Sequence, residues 1–314
     1  MGLLKIDWTL RSVEQWRKLM GEAHQANWMQ TWSYAEAHLS QTILPTRMIS
    51  FNNEAGEIVA IAALQRLKLG PIQFVQIQRG PLWLNGSPTE EQYLSLAKAI
   101  RKEFPKSPFT WIRWLPEFNL SPTGHEILSQ IHFQLGRHNF QTLWLDLSLD
   151  LKDIRQGLDQ KWRNLLNKSE KLNVEVKEDT TEKLLKSFLN FYDLYKSQKN
   201  YKGPSKQFLN IEFWNALKSK DLILLWAFEN GIPCAGIALH MHGPAVSYRA
   251  SWNSAAGRKN CAHYALLWKA IQICKIRGLK KFDLGGVLPD EAPGLSHFKN
   301  GLNGQSVRYD FLKG

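Results

Sequence analysis

The sequence predicts an α/β protein with mixed sheets, built as two copies of one unit. Three observations carry this. Runs rich in Ile, Val and Ala alternate along the whole chain with segments whose apolar residues recur at helical spacing. The length, 314 residues, is about twice a common domain of roughly 150 residues. Two hairpin segments, Gly56–Leu64 and Gly231–Leu239, carry Gly, Ala, Ala and Leu at the same offsets.

The first half is read as follows. Residues 11–24 and 32–40 space their apolar side chains as helices do. Residues 46–52 and 57–67 are strands, joined through Asn52-Asn53-Glu54-Ala55-Gly56, whose side chains favour tight turns. Ile72 to Ile77 is a further strand, ending at Gln78-Arg79-Gly80-Pro81. A helix over 89–103 stops near Pro105, where a missing N–H ends helical bonding, and Phe109 to Leu115 returns as a strand.

The second half repeats the plan. A strand, 142–147, leads through Ser148 and Asp150 into one basic helix over 151–171. Strand 173–178, helices 181–197 and 205–218, and a hairpin of 221–229 with 232–242 around Asn230-Gly231 follow. Strand 245–252, helix 262–277, strand 280–284 and a short helix and strand complete the chain. Leu267, Ala270, Ile271 and Cys274 form a buried stripe on helix 262–277. The expected domains are 1–140, completed by 301–314, and 141–300.

Composition narrows the function. At 44% hydrophobic and 22% charged residues the chain is globular, which excludes collagen-like, low-complexity and wholly disordered classes. Forty Lys and Arg against 28 Asp and Glu give a net charge of +12, of which +3 falls in 1–140 and +8 in 141–300. Such an excess suits nucleic acid, a nucleotide-linked substrate or an anionic membrane face, met chiefly by the later part of the chain. Solubilising surface lysines would give the same count. Cys234, Cys261 and Cys274 form no disulfide or metal-ligand pattern, which fits a reducing compartment. His240, His242 and His297 show no metal spacing either, so no metal is expected. Lys5 and Asp7 interrupt the apolar start that a leader peptide needs, and the longest apolar run, Leu222 to Phe228, is too short to span a bilayer. A cytoplasmic protein is expected.

Seven motifs then stand in order: Gln30-Thr-Trp-Ser-Tyr34; Gln78-Arg-Gly-Pro81; Lys161-Trp-Arg-Asn-Leu-Leu-Asn-Lys-Ser-Glu-Lys171; Tyr248-Arg-Ala-Ser251; Tyr264-Ala-Leu-Leu-Trp-Lys-Ala-Ile271; Phe282-Asp-Leu-Gly-Gly286; and Gly294-Leu-Ser-His-Phe-Lys299. Together they resemble the FemABX family of aminoacyl-tRNA-dependent peptidyltransferases, over nearly the whole chain. The resemblance implies two tandem GNAT-like acyltransferase domains. It also implies transfer of an amino acid from aminoacyl-tRNA, as co-substrate and with no other cofactor, to an amine, typically on a peptidoglycan precursor peptide. That chemistry needs a site for phosphates, a neutral amine and positive charge near the developing oxyanion, with the reactants held together.

By the same resemblance, Lys299 matches a lysine near the tRNA acceptor end, where a cation grips the terminal phosphate or stabilises the oxyanion. Phe298 would pack beside the terminal adenosine. Arg163 falls in the segment that holds a phosphate-binding arginine, and Tyr248 matches a tyrosine of the acceptor groove. Read as residues alone, these are a solvated lysine, a core phenylalanine, one charge on a mixed helix face and a strand tyrosine. Arg79, beside Gly80-Pro81, either brings a cation to a cleft or closes a strand. Asp283, at a strand end before two glycines, is the remaining candidate carboxylate; capping the turn is its other use. Tyr34 is the aromatic of the first motif; four residues on, where the family often has a lysine contacting the nucleotide diphosphate, stands His38, a weaker cation near neutral pH. Trp83 and Leu84 occupy positions where an acid is common, so a protein general base is left unassigned.

Two other functions are compatible with the sequence. A CoA-dependent N-acyltransferase needs a glycine-containing pyrophosphate loop before a helix, and Arg258-Lys-Asn-Cys-Ala-His263 lacks those glycines. A non-catalytic RNA- or cell-wall-binding module would account for the missing acid but not for Phe298-Lys299.

Overall fold

The computed structural model describes residues 4–9, 11–199, 202–287 and 293–314; residues 1–3 of the start read above for a leader lie outside them. The elements are β1 (Lys5–Asp7), α1 (Val13–Glu22), a 3-10 turn (Trp28–Gln30), α2 (Trp32–Leu39), β2 (Thr46–Asn52), β3 (Ile58–Leu69), β4 (Ile72–Gln78), β5 (Leu82–Trp83), α3 (Glu90–Glu103), β6 (Thr110–Leu115), α4 (Pro122–Gln130) and β7 (Gln134–Asp146). After these come α5 (Leu151–Gly157), α6 (Gln160–Lys171), β8 (Glu175–Glu178), α7 (Glu182–Lys199), α8 (Lys206–Lys218), β9 (Leu222–Glu229), β10 (Ile232–His242), β11 (Ala245–Asn253), α9 (Ala255–Lys259), α10 (Ala262–Ile276), β12 (Lys281–Gly286), α11 (Pro293–Asn300) and β13 (Gln305–Lys313). Two compact units emerge. One is Met1–Gln141 with His242–Pro244 and Arg308–Gly314; the other is Thr142–Met241 with Ala245–Val307.

In the first unit β1, β2, β3 and β4 form an antiparallel meander. The chain crosses through α3 and returns as β6, parallel to β4, and β13 lies antiparallel to β6. Successive strand residues face opposite sides. Ile49, Phe51, Val75, Ile77 and Trp114 therefore pack with Tyr93 and Ile100 of α3, while Met48, Ile61 and Ala63 pack with Trp16 and Met20 of α1 and Ala35 of α2.

The second unit has the same internal plan. Antiparallel β8, β9 and β10 lead to β11. The chain crosses through α9 and α10 and returns as β12, parallel to β11, with residues 142–146 of β7 antiparallel to β12. One core face carries Leu166 of α6 and Leu267 and Ile271 of α10. On the other, Phe188 of α7 meets Phe213 of α8 and Trp226 of β9 edge-on, with ring centroids 6.4 and 6.0 Å apart.

The likeness between the hairpins extends to an irregularity. Phe51 pairs with Ala60 but Asn52 with Ile58, leaving Val59 as an extra residue. Phe228 pairs with Pro233 but Ala227 with Ala235, leaving Cys234 extra. These are β-bulges at the same offset in both copies, and such bulges are built features rather than accidents.

The predicted helix over 151–171 is two helices. Leu158 is extended (ψ 146°), and the Asp159 carboxylate accepts from the N–H groups of Lys161 and Trp162, capping α6. A cap of this kind competes with helix continuation. β7 begins at Gln134, well before the predicted Thr142, because its first residues are largely exposed and give no alternating apolar signal. α4, capped by Ser121 with Pro122 at its first position, and the short β1 were not anticipated.

Candidate functional site

In the second unit the chain brings together Lys299, Asp283 and Tyr248, from α11, β12 and β11. The Lys299 side chain is inside the protein, at 5% exposure. Its Nζ donates to the Gly286 carbonyl at 2.8 Å and lies 5.6 Å from the centre of the Tyr248 ring, where the ring's negative face favours a cation. Gly285 makes room for it. That residue has φ +75°, and a Cβ there would sit 3.6 Å from Lys299 Nζ and 3.1 Å from the Tyr248 carbonyl. Burial pulls the Lys299 ammonium down to about 8; the nearby Asp283 carboxylate opposes the fall and Arg249 adds to it. A lysine of this kind is still mostly charged at neutral pH and gives up its proton within reach of it.

Asp283 is fully buried. Its Oδ1 accepts from the Thr142 hydroxyl and, at 2.8 Å, from the Gly285 N–H, so it does brace the turn of two glycines. The same carboxylate also supplies negative potential to Lys299. Phe298 is half-buried and anchors α11: its ring stacks near Trp162 at 6.0 Å and meets Tyr264 edge-on at 5.1 Å, and its carbonyl accepts from Trp162 Nε1. Arg163 donates to the carbonyls of Gln156 and Leu158, tying α6 to the end of α5.

Arg249 and Glu212, to which the sequence assigned no role, complete this interior together with His240. Arg249, on β11 next to Tyr248, grips Glu212 of α8 through two bonds of 2.8 Å. His240 Nδ1 lies 3.1 Å from the same carboxylate. Burial alone would raise the Glu212 carboxyl; Arg249 and His240 more than offset it and hold it at about 2. His263, against the Trp252 carbonyl, is driven by burial to about 4 and is neutral.

The first unit holds Tyr34, His38 and Arg79. The Tyr34 hydroxyl donates to Gln78 Oε1 at 3.2 Å, and its ring meets Trp28 edge-on at 4.9 Å. His38 is buried on the same helix, which lowers its imidazole pKa below the ordinary value. Arg79 is fully buried; its guanidinium bonds Glu117 through two nitrogens and stacks 5.0 Å from the Phe140 ring. The cation is thus spent inside the unit and is not presented to solvent. The first motif has a structural explanation. Gln30 accepts from the Ala63 N–H and donates to the Gln78 carbonyl, each at 2.6 Å. A Cβ on Gly80 would come within 2.8 Å of Gln30 Nε2.

No family model matches the sequence, and no curated protein matches it. The fold is similar to solved structures. Against the crystal structure of FemX the TM-score is 0.78 at 13% identity, with 96% of each chain covered. A conserved protein of unknown function from Bacteroides thetaiotaomicron matches with TM-score 0.62 at 11% identity over 99% of both chains. The C-terminal domain (DUF2156) of a putative lysylphosphatidylglycerol synthetase from Agrobacterium fabrum matches with TM-score 0.58 at 12% identity, covering 96% of this chain and 92% of that one. At these identities the likeness is one of fold, and the mixed α/β fold of two like units expected from the sequence is the one observed, similar to that of FemX.

Proposed function

We propose that this protein is an aminoacyltransferase that moves an amino acid from aminoacyl-tRNA to an amine, with a peptidoglycan precursor peptide as the preferred acceptor. The observation that carries the reading is Lys299, a buried lysine whose Nζ has a backbone carbonyl and an aromatic ring for neighbours and, among the described residues, no carboxylate within ion-pair distance. In the reaction the acceptor amine attacks the ester carbonyl, the C–N bond forms, the bond between the acyl carbon and the ribose oxygen breaks, and the proton that the amine loses ends on the departing ribose hydroxyl. Negative charge grows on the carbonyl oxygen on the way. A desolvated ammonium acts strongly on such charge, or on the terminal phosphate of the donor, because its field is little screened. The +8 balance of residues 141–300 suits a tRNA, and the FemX-like fold is in keeping with it. No helix among the described residues is long and apolar enough to cross a membrane; a cytoplasmic site of action belongs to this reading.

The CoA alternative has less support. Between β11 and α10 the chain forms the short helix α9, whose Gly257 N–H is taken by the capping Ser254 hydroxyl. The N–H groups of Arg258, Asn260 and Cys261 bond to carbonyls of the same segment. Those amides are not directed outward to cradle a pyrophosphate.

The test charges bulk tRNA with labelled amino acids and follows label into a UDP-linked muropeptide. Transfer is expected, and Lys299→Met is expected to lower it at least about tenfold with the fold unchanged by circular dichroism. A near-normal rate in that variant overturns the role given to Lys299.

A further inference from the structure

The first unit carries a feature that aminoacyl transfer does not use. α1 and α2 cover β2 and the start of β3, but the same face of the sheet is open over β4, β6 and β13. Phe74 and Trp111 stand there as parallel cross-strand partners, their rings stacked at 4.9 Å, and they are 43% and 46% exposed. With Ile43, 75% exposed, and Leu44 and Leu67 they line a groove of about 890 Å3. Its rim is basic. Arg113, Arg137, His138 and Lys313 border the groove and, among the described residues, no Asp or Glu side chain does. Arg113 lies over the Phe311 ring at 4.7 Å, and the others make no ion pair among the described residues.

We propose that this groove docks the protein on an anionic phospholipid surface, an acyl chain lying along Ile43, Leu67, Phe74 and Trp111 while the phosphates meet Arg113, Arg137 and Lys313. Apolar area alone would bind any hydrophobic surface; the one-signed rim selects an anionic one. The volume lies within the ~300–1,000 Å3 range of small-ligand sites, enough for part of a lipid tail. Single-stranded RNA is the rival occupant. It would need aromatic faces open for bases to stack on, but Phe74 and Trp111 cover one face of each other, Arg113 covers the Phe311 ring, and the other apolar residues of the lining are aliphatic. The inference goes beyond the transfer reading and does not depend on it.

The full chain is mixed with vesicles of phosphatidylcholine, or of phosphatidylcholine with an equal part of phosphatidylglycerol, and sedimented. Binding is expected to the anionic vesicles only and to weaken with salt. Ile43→Asp is expected to abolish it, and Arg137→Glu to weaken it about fivefold or more. Both positions are exposed, so the melting temperature should hold. Brominated acyl chains should quench the wild type more than Trp111→Phe. Equal binding to both vesicle types, unchanged binding by Ile43→Asp, or loss of tRNA binding in its place overturns the proposal. Lys299→Met should keep vesicle binding and Ile43→Asp should keep transfer to a soluble acceptor, so failure of one reading is distinguishable from failure of the other.

Discussion

The two units share a strand plan and a bulge at the same offset, yet they treat buried charge in opposite ways. In the first unit Arg79 is matched by Glu117, and that carboxylate also accepts from Asn27. The pair is neutral as a whole and leaves little field for a ligand. In the second, Glu212 neutralises Arg249 in the same manner, but Lys299 is left with a carbonyl and a ring. A paired charge fixes structure; a desolvated charge without a close counter-ion can act on something that arrives. The same strand plan therefore carries a buried cation that is paired in one unit and one without a close counter-ion in the other.

The comparison breaks most severely at the carboxylates. Glu212→Gln leaves Arg249 buried without its counter-charge and is expected to cost about 3–5 kcal/mol in denaturant unfolding. Glu117→Gln should cost a similar amount through Arg79. The two should differ in the transfer pH profile. Arg249 already lowers Lys299, and without Glu212 its field is uncompensated. In the proposed transfer an alkaline limb would follow loss of the Lys299 proton; that limb should move to lower pH in Glu212→Gln, whereas Glu117→Gln leaves it in place. A shift in both variants, or in neither, removes the contrast.

A smaller effect sharpens it. The Lys299 pKa falls from 10.5 in the unfolded chain to about 8 in the fold. Between those values the unfolded state binds more protons, so this group's contribution to stability rises as pH climbs from about 8 to 10.5 and its full cost is present below 8. Lys299→Met removes a cost of roughly 3 kcal/mol, less what the Gly286 hydrogen bond returned. The variant should melt above the wild type at pH 7, and the gap should close by about pH 10.5. A variant less stable than wild type at pH 7 would mean that the lysine is there for structure.

What the sequence made legible follows from range. The hairpins show themselves through local alternation and turn residues, and their likeness to each other through matched offsets. Lys299 is visible only by its place after Phe298 in an ordered set of motifs; its neighbours on α11 are polar enough to read as a solvated face. The Arg249–Glu212 pair joins positions 37 residues apart, and no local pattern announces it. One signal was available: on α8, Glu212 falls on the stripe of Phe208, Leu209, Phe213 and Ala216, and a carboxylate at a core position must have a partner. Arg79 shows the same limit of range: a cation beside Gly-Pro reads equally as accessible or as closing a strand until Glu117, 38 residues away, is found against it.

The finest test uses two glycines with left-handed backbone. Gly56, in the first unit's hairpin, has φ +84° and nothing within 4 Å of a would-be Cβ; Gly285, in the second, has φ +75° and lies against the Tyr248 carbonyl and Lys299 Nζ. Alanine pays a left-handed penalty of about 1–2 kcal/mol at either site, so their melting temperatures should fall by similar amounts, slightly more for Gly285→Ala because of the 3.1 Å approach. Transfer should separate them. At Gly285 the added methyl shares space with the ammonium and shifts it from the Gly286 carbonyl, which should lower the rate several-fold; Gly56→Ala should leave it within error. Equal losses of transfer would show that the rate tracks global stability, and that Lys299 owes nothing to the space which Gly285 leaves for it.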